Sequence, residues 1–271
     1  MTFWNAVLRV FDMSFGQMLW SRRTVFMGLA TGAPIVIAVL LRVIHEMGLS
    51  SFRINGVAVP GPVILGGMIW LLYLRFVVPV LGAFYGTSLV SDEVEDRTIS
   101  YLFTRQVPKG AIIIGKYLAY LACTGLVVLP SVTAVYLLIT PVSGGSVGGT
   151  FPQLLTDLGL LAVGLTVYGA VFALIGALAP RPLVAGLLLI FGWEQVALVV
   201  PGYLRRFTVA HYLQALVPHS MPQDDTVTAI QSLFSEPSTV ASSLMSLAAI
   251  TIAALWLAAR TVERKEYVLE Q

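Results

Sequence analysis

The chain has 271 residues, of which 57% are hydrophobic and only 11% are charged. A soluble globular domain carries about 25% charged residues, so this chain lacks the polar surface that a water-soluble protein needs. Its formal net charge of +2 gives no strongly basic surface and predicts no nucleic-acid partner. The single cysteine, Cys123, cannot form an internal disulfide or a thiolate metal cluster.

Residues 1–24 contain the pattern of an amphipathic helix. Asn5, Arg9 and Asp12 share one face, while apolar side chains recur at helical spacing on the other. Aromatic residues such as Trp4 suit the headgroup region of a bilayer. We therefore expect a helix that lies in the membrane interface. The alternative is a cytoplasmic helix that packs against a partner.

Six apolar segments follow, each about long enough to cross a bilayer, which takes about 20 residues in a helix. They lie near residues 25–44, 62–90, 111–139, 154–179, 183–201 and 239–259. The sequence therefore predicts an all-α polytopic membrane protein that forms a single transmembrane domain over residues 1–271, with six transmembrane helices after the interfacial helix.

The distribution of Lys and Arg predicts the orientation, because cytoplasmic loops of membrane proteins are enriched in both. With a cytoplasmic N-terminus, eleven of them fall inside: Arg9, Arg22, Arg23, Arg97, Arg105, Lys109, Lys116, Arg181, Arg260, Arg264 and Lys265. Four fall outside: Arg42, Arg53, Arg205 and Arg206. We therefore predict that both termini are cytoplasmic, that residues 91–110 form a cytoplasmic loop, and that 202–238 are extracytoplasmic.

The cytoplasmic loop has the pattern of a short helix. Ser91 is a suitable N-cap, and acidic residues would fill the first turn, where carboxylates complement the helix dipole. These acids are Asp92, Glu93, Glu95 and Asp96. An apolar face would follow at Ile99, Leu102 and Phe103. Such a helix suits docking onto a soluble partner and equally suits a solvated connector, whereas a metal site built from the acids is disfavoured.

A longer motif runs through the same loop into the next predicted span. It consists of Asp92-Glu93, Thr98-Ile99, Leu102, Thr104, Pro108-Lys109 and Gly115-Lys116. This motif resembles the signature of the type-2 ABC exporter permeases, and the predicted layout extends the resemblance over the whole chain. Arg97 and Gln106 depart from it, because the family usually has Gly and often has Pro at these places.

The resemblance implies a permease subunit in the cell (inner) membrane that pairs with a second permease subunit, identical or paralogous. ATP and magnesium would bind on separate ABC ATPase subunits, and export is the expected direction. The loop would be the coupling element that contacts the ATPase, through Asp92, Glu93, Asp96, Thr98, Leu102 and Phe103. The resemblance leaves open a drug, lipid or polysaccharide exporter and also a permease like those that serve copper-enzyme maturation, and the sequence does not select among these cargoes.

A near match to a phosphate-binding loop begins at Gly110 and ends with Gly115, Lys116 and Tyr117. Tyr117 cannot replace the small hydroxyl residue that holds magnesium in such loops, and no strand is predicted before it. We therefore predict no ATP site, no cofactor, no metal and no catalytic residue on this chain.

Arg75 and Glu194 lie inside the second and fifth predicted spans. A charge at the membrane centre costs at least about 2.5–3.5 kcal/mol, so each side chain should face protein or water. Their similar depths are compatible with a direct ion pair. This pair either lines a translocation pathway or bridges two helices, and the resemblance favours the pathway, because the family's second and fifth spans border it.

Glycines spaced four apart permit close approach of membrane helices. Gly28 with Gly32 and Gly82 with Gly86 are such pairs, and we expect contacts within the chain rather than a dimer interface.

The sequence also leaves two other functions open. One is an ion-coupled secondary transporter that uses Arg75 and Glu194, and the other is a non-transporting membrane scaffold. An inverted repeat, which would favour the first, is not evident.

Overall fold

The computed structural model describes residues 3–48, 53–54, 57–95, 109–142, 145–199, 207–217 and 239–264. Helices dominate these residues, as the hydrophobic composition predicts. A small antiparallel hairpin pairs β1 (Arg53–Ile54) with β2 (Val57–Ala58).

The helices of the first half of the described chain begin with α1 (Phe3–Leu19) and α2 (Arg22–Glu46). A long stretch then alternates between α and π geometry: α3 (Gly61–Met68), π1 (Ile69–Val77), α4 (Val78–Leu81), π2 (Gly82–Gly86) and α5 (Ser88–Glu95).

The helices of the second half are longer and more regular at first. They are α6 (Lys109–Ile139), α7 (Phe151–Leu178), α8 (Pro182–Leu188), π3 (Leu189–Trp193), α9 (Glu194–Val199), α10 (Val209–Gln214) and α11 (Val240–Arg264).

Five helical stretches of the described residues are long and apolar enough to cross a bilayer: Arg23–Glu46, Gly61–Ser91, Gly110–Ile139, Phe151–Leu178 and Val240–Val262. The segment predicted near 183–201 instead gives a shorter apolar helix, Pro182–Ala197. At 1.5 Å per residue, a helix of this length is shorter than the roughly 30 Å hydrocarbon core. The chain is thus a helical polytopic membrane protein, and the sixth span stays a prediction.

The core of the protein is built around α7. Glycines admit its large side chains: a Cβ atom at Gly82 would lie 2.9 Å from Phe172 Cδ2, and one at Gly86 would lie 2.8 Å from Phe172 Cβ. The Gly82–Gly86 pair therefore packs within the chain, as the sequence predicts. Gly28 and Gly32 differ, because nothing in the described part of the chain comes within 4 Å of their Cβ positions. For Gly28 and Gly32, the predicted contact within the chain is not found among the described residues.

The N-terminal helix α1 packs against α6. A Cβ atom at Gly115 would lie 2.8 Å both from Val10 Cβ and from the Val7 carbonyl oxygen, so this glycine permits the contact. The neighbouring edge of α1 leaves Trp4 67% and Leu8 58% exposed. α1 thus has one apolar edge packed on its own chain and another available to the bilayer surface.

Candidate intramembrane polar site

Arg75 and Glu194 both lie at departures from α-helical geometry. Arg75 is in π1, where the N–H of Val78 bonds to the carbonyl of Tyr73, five residues back. Pro79 follows, and a proline has no N–H to bond the carbonyl four residues before it, which here belongs to Arg75. The local sequence thus removes an α-helical bond at this place. π-Helical turns are rare and often occur at functional sites.

Arg75 is held by two neighbours. Its Nη2 atom donates a hydrogen bond of 2.6 Å to Oε1 of Gln195. Its guanidinium carbon lies 5.8 Å from the centroid of the Trp70 ring, within the range of a cation–π interaction. The cation is therefore satisfied by a neutral amide and an aromatic face.

Glu194 is only 5% exposed and faces a different neighbour. Its Oε2 atom accepts a hydrogen bond of 2.7 Å from the hydroxyl of Tyr168, on α7. The backbone amide of Ala210, in the first turn of α10, lies next to the same carboxyl group. Its second oxygen, Oε1, has no hydrogen-bond partner among the described residues.

The predicted direct ion pair between Arg75 and Glu194 is wrong: no N–O distance between them falls within 4.0 Å. Residues adjacent in a helix point about 100° apart, and depth in the membrane does not fix which of them faces a neighbour. Here Gln195 faces Arg75 and Glu194 faces Tyr168. The four side chains of Arg75, Tyr168, Glu194 and Gln195 are hereafter the polar cluster.

A second set of hydrogen bonds fixes π1 against its neighbours. The hydroxyl of Tyr73, in π1, bonds to the hydroxyl of Ser131 on α6 over 2.7 Å. Ser131 in turn donates a bond of 2.8 Å to the carbonyl of Thr31 on α2. These buried bonds join three helices beside the polar cluster.

The sequence analysis does not assign Tyr168, Gln195 or Asp157 to a site, and it places Lys116 in the cytoplasmic motif rather than in the protein interior. Tyr168 and Gln195 carry no charge, so nothing in the hydropathy pattern marks them. Asp157 is 0% exposed on α7 and Lys116 is 7% exposed on α6. A search for ionisable residues within the predicted spans 111–139 and 154–179 would have found these last two.

The structure changes the interpretation of the loop that begins at Ser91. Ser91 lies inside α5, and its N–H bonds to the carbonyl of Thr87 at 3.3 Å. It is therefore not an N-cap, because the helix that enters the loop continues from the span before it. Asp92 and Glu93 lie in α5. The other predicted coupling residues, Asp96, Thr98, Leu102 and Phe103, lie outside the described residues.

The helices on either side of this loop are joined by a buried hydrogen bond. Nζ of Lys116, on α6, donates a hydrogen bond of 3.3 Å to the carbonyl of Leu89 on α5. The segments that leave and re-enter the domain therefore meet. Gly110 and Gly115 lie inside α6 rather than in a loop that could surround a phosphate.

The long apolar helices and the polar cluster, which is buried at Tyr168 and Glu194 and partly buried at Arg75 and Gln195, define a polytopic membrane protein. The family model described as ABC-2 family transporter protein matches residues 10–266. The chain therefore belongs to the ABC-2 transporter family, as a membrane permease. A search of curated proteins gives no match.

Proposed function

We propose that the chain is the membrane subunit of an ATP-binding cassette exporter and that a separate ATPase subunit drives it. The observation that carries this proposal is the family match over residues 10–266, which covers nearly the whole chain. A second copy of the chain or a paralogous permease completes the membrane part, and both termini are cytoplasmic.

The joined ends of the 91–110 loop support the coupling part of the proposal. Because Lys116 links α6 to α5 at Leu89, a force on the loop reaches both long helices together. α1 packs on α6 at Gly115, one residue from this link. Motion of a docked ATPase would therefore act on three helices at one place.

The polar cluster supports a role in translocation. A guanidinium at membrane depth is costly unless it faces protein or water. Arg75 is only partly buried, and the neighbouring Phe76 and Phe191 are 46% and 50% exposed. We propose that this face lies toward the second permease subunit, where the route for the cargo opens.

The test is the substitution Glu93→Arg, measured in membranes that contain the chain together with its ATPase. We expect transport-linked ATP hydrolysis to fall at least about tenfold, which corresponds to about 1.4 kcal/mol of lost coupling. The permease itself should stay in the membrane at its normal level. Glu46→Arg, at the C-terminal end of α2 and outside the 91–110 loop, is the matched control.

Unchanged ATP hydrolysis in Glu93→Arg would overturn the docking role of the loop. Transport that continues after the ATPase is removed would instead favour an ion-coupled transporter. Absence of both transport and an associated ATPase would favour the scaffold function.

A further inference from the structure

Arg75 has two possible acceptors that are adjacent in the chain, and it uses the neutral one. Its hydrogen bond goes to Gln195, while Glu194 keeps a buried carboxylate oxygen with no hydrogen-bond partner among the described residues. A guanidinium binds a carboxylate more strongly than an amide, because both groups then carry charge. A stronger contact for Arg75 would therefore form if Glu194, the residue next to Gln195 in the chain, took the place of Gln195.

The helix that carries these acceptors contains a π-helical turn, π3, that allows its register to shift by one residue. In π3, the N–H of Glu194 bonds to the carbonyl of Leu189, five residues back, instead of four. A π-helical turn holds an extra residue relative to an α-helix. If π3 relaxes to α geometry while α8 stays in place, every following residue moves forward by one position. Glu194 then occupies the place that Gln195 occupies now.

The surroundings of π3 leave room for this change. Nothing in the described part of the chain lies within 4 Å of the Cβ position of Gly192, in the middle of the π-helical turn. Phe191 and Val196 are 50% and 56% exposed. Among the buried residues, the shift displaces Ala197 of α9, which is 1% exposed, together with Glu194.

We propose that the polar cluster is a two-position switch, in which relaxation of π3 transfers Arg75 from Gln195 to Glu194. In the position of the structure, Glu194 is held by Tyr168 and by the amide of Ala210. In the other position, it gives up these contacts and pairs with Arg75. The contact that Glu194 gains with Arg75 offsets the contacts that it loses with Tyr168 and Ala210, so the two positions can be close in free energy, as in a bistable element.

The switch deepens the proposed function and rests on it for its purpose: it would give the membrane subunit two states for the ATPase to bias. The energetics of the switch belong to the chain alone. They are measured without the ATPase, so a failure of the switch and a failure of ATP coupling are distinguishable.

The experiment uses double-mutant cycles on the thermal unfolding of the full chain in phosphatidylcholine nanodiscs. One cycle combines Arg75→Met with Gln195→Leu, and the other combines Arg75→Met with Glu194→Gln. Both cycles are repeated after deletion of Gly192. The deletion removes the extra residue, so the helix becomes regular with Gln195 still facing Arg75.

We expect both cycles to be non-additive in the full chain, because Arg75 uses both acceptors. After the deletion, the Gln195 cycle should keep its coupling and the Glu194 cycle should lose most of it. Coupling to Glu194 that is absent from the full chain, or that persists unchanged after the deletion, overturns the switch.

If the deletion variant does not fold, the exchanged variant Glu194→Gln/Gln195→Glu decides. It gives Arg75 a carboxylate without any change of register, so its melting temperature should exceed that of the parent chain by several degrees. An unchanged or lower melting temperature would show that Arg75 gains nothing from a carboxylate in this place, and the switch would have no driving force.

Discussion

Helices α7 and α11 are almost equally apolar, yet they are buried to very different extents. The apolar windows of their spans have mean hydropathies of 2.3 and 2.0, but 56% of the α7 window is buried and only 17% of the α11 window. Hydrophobicity does not drive helices together in a bilayer, because lipid tails are as apolar as the side chains. What distinguishes α7 is its glycines, which admit aromatic rings, and its tyrosine and acidic side chains.

The largest expected effect concerns the polar cluster that α7 helps to form. Arg75→Met removes the hydrogen bond to Gln195 and the positive charge that acts on the buried Glu194, and a hydrogen bond from a charged group contributes about 1.5–3 kcal/mol. We expect a matching loss of detergent stability, measured by thermal unfolding. Adding Glu194→Gln should restore part of it, since the buried negative charge is then removed while the bond to Gln195 stays lost.

Arg42→Met is the control for this prediction, because Arg42 pairs with Glu46 at 2.9 Å on the exposed end of α2. Exposed pairs contribute about 0–1 kcal/mol. Additive losses in Arg75→Met and Glu194→Gln would show that the two residues do not influence each other. A stable double variant that fails to transport would assign the cluster to the pathway, and restored transport would make it a structural bridge.

The next effect tests the close packing of α7 itself. A Cβ atom at Gly169 would overlap the ring of Tyr120, whose hydroxyl donates to the carbonyl of Leu165 at 3.1 Å. Gly169→Ala should therefore destabilise the protein by about 1–3 kcal/mol through overpacking. Gly159→Ala on the same helix meets nothing within 4 Å among the described residues and should have little effect. Equal stability of the two variants would contradict the packing of α6 on α7.

A smaller effect is expected where π1 is joined to α6. Tyr73→Phe removes the hydroxyl that bonds to Ser131 and should cost about 1 kcal/mol, the usual net contribution of one hydrogen bond. Ser131→Ala also removes the bond to the Thr31 carbonyl, so the double variant should lose more than Tyr73→Phe alone but less than the sum of the two single losses, because the bond between the hydroxyls is shared. Fully additive losses in thermal stability would place the two hydroxyls apart.

The smallest effect is expected on the exposed face of α11, where Met245 is 73% exposed. Met245→Ala should change the free energy of unfolding by less than about 0.5 kcal/mol. Leu247 is the matched position, since it is 1% exposed and its truncation should cost about 2–5 kcal/mol. A large loss of stability in Met245→Ala would instead mean that a second subunit covers this face of α11.

The sequence alone determined the class of protein and the position of most helices. Long apolar runs and one amphipathic N-terminal segment are local properties, and a bilayer fixes the length that a crossing helix needs. Arg75 and Glu194 were also visible in advance, because a charge inside an apolar run is conspicuous. The motif around Asp92 and Glu93 indicated the family that the model over residues 10–266 shows.

Only the tertiary structure decided which side chains meet. Gln195 rather than Glu194 faces Arg75, and Tyr168 joins the cluster from a different helix. These contacts depend on helix rotation, which changes by about 100° with each residue, whereas hydropathy reports only depth. The π-helical segments shift the rotation further, and no propensity of single residues predicts where such a segment begins.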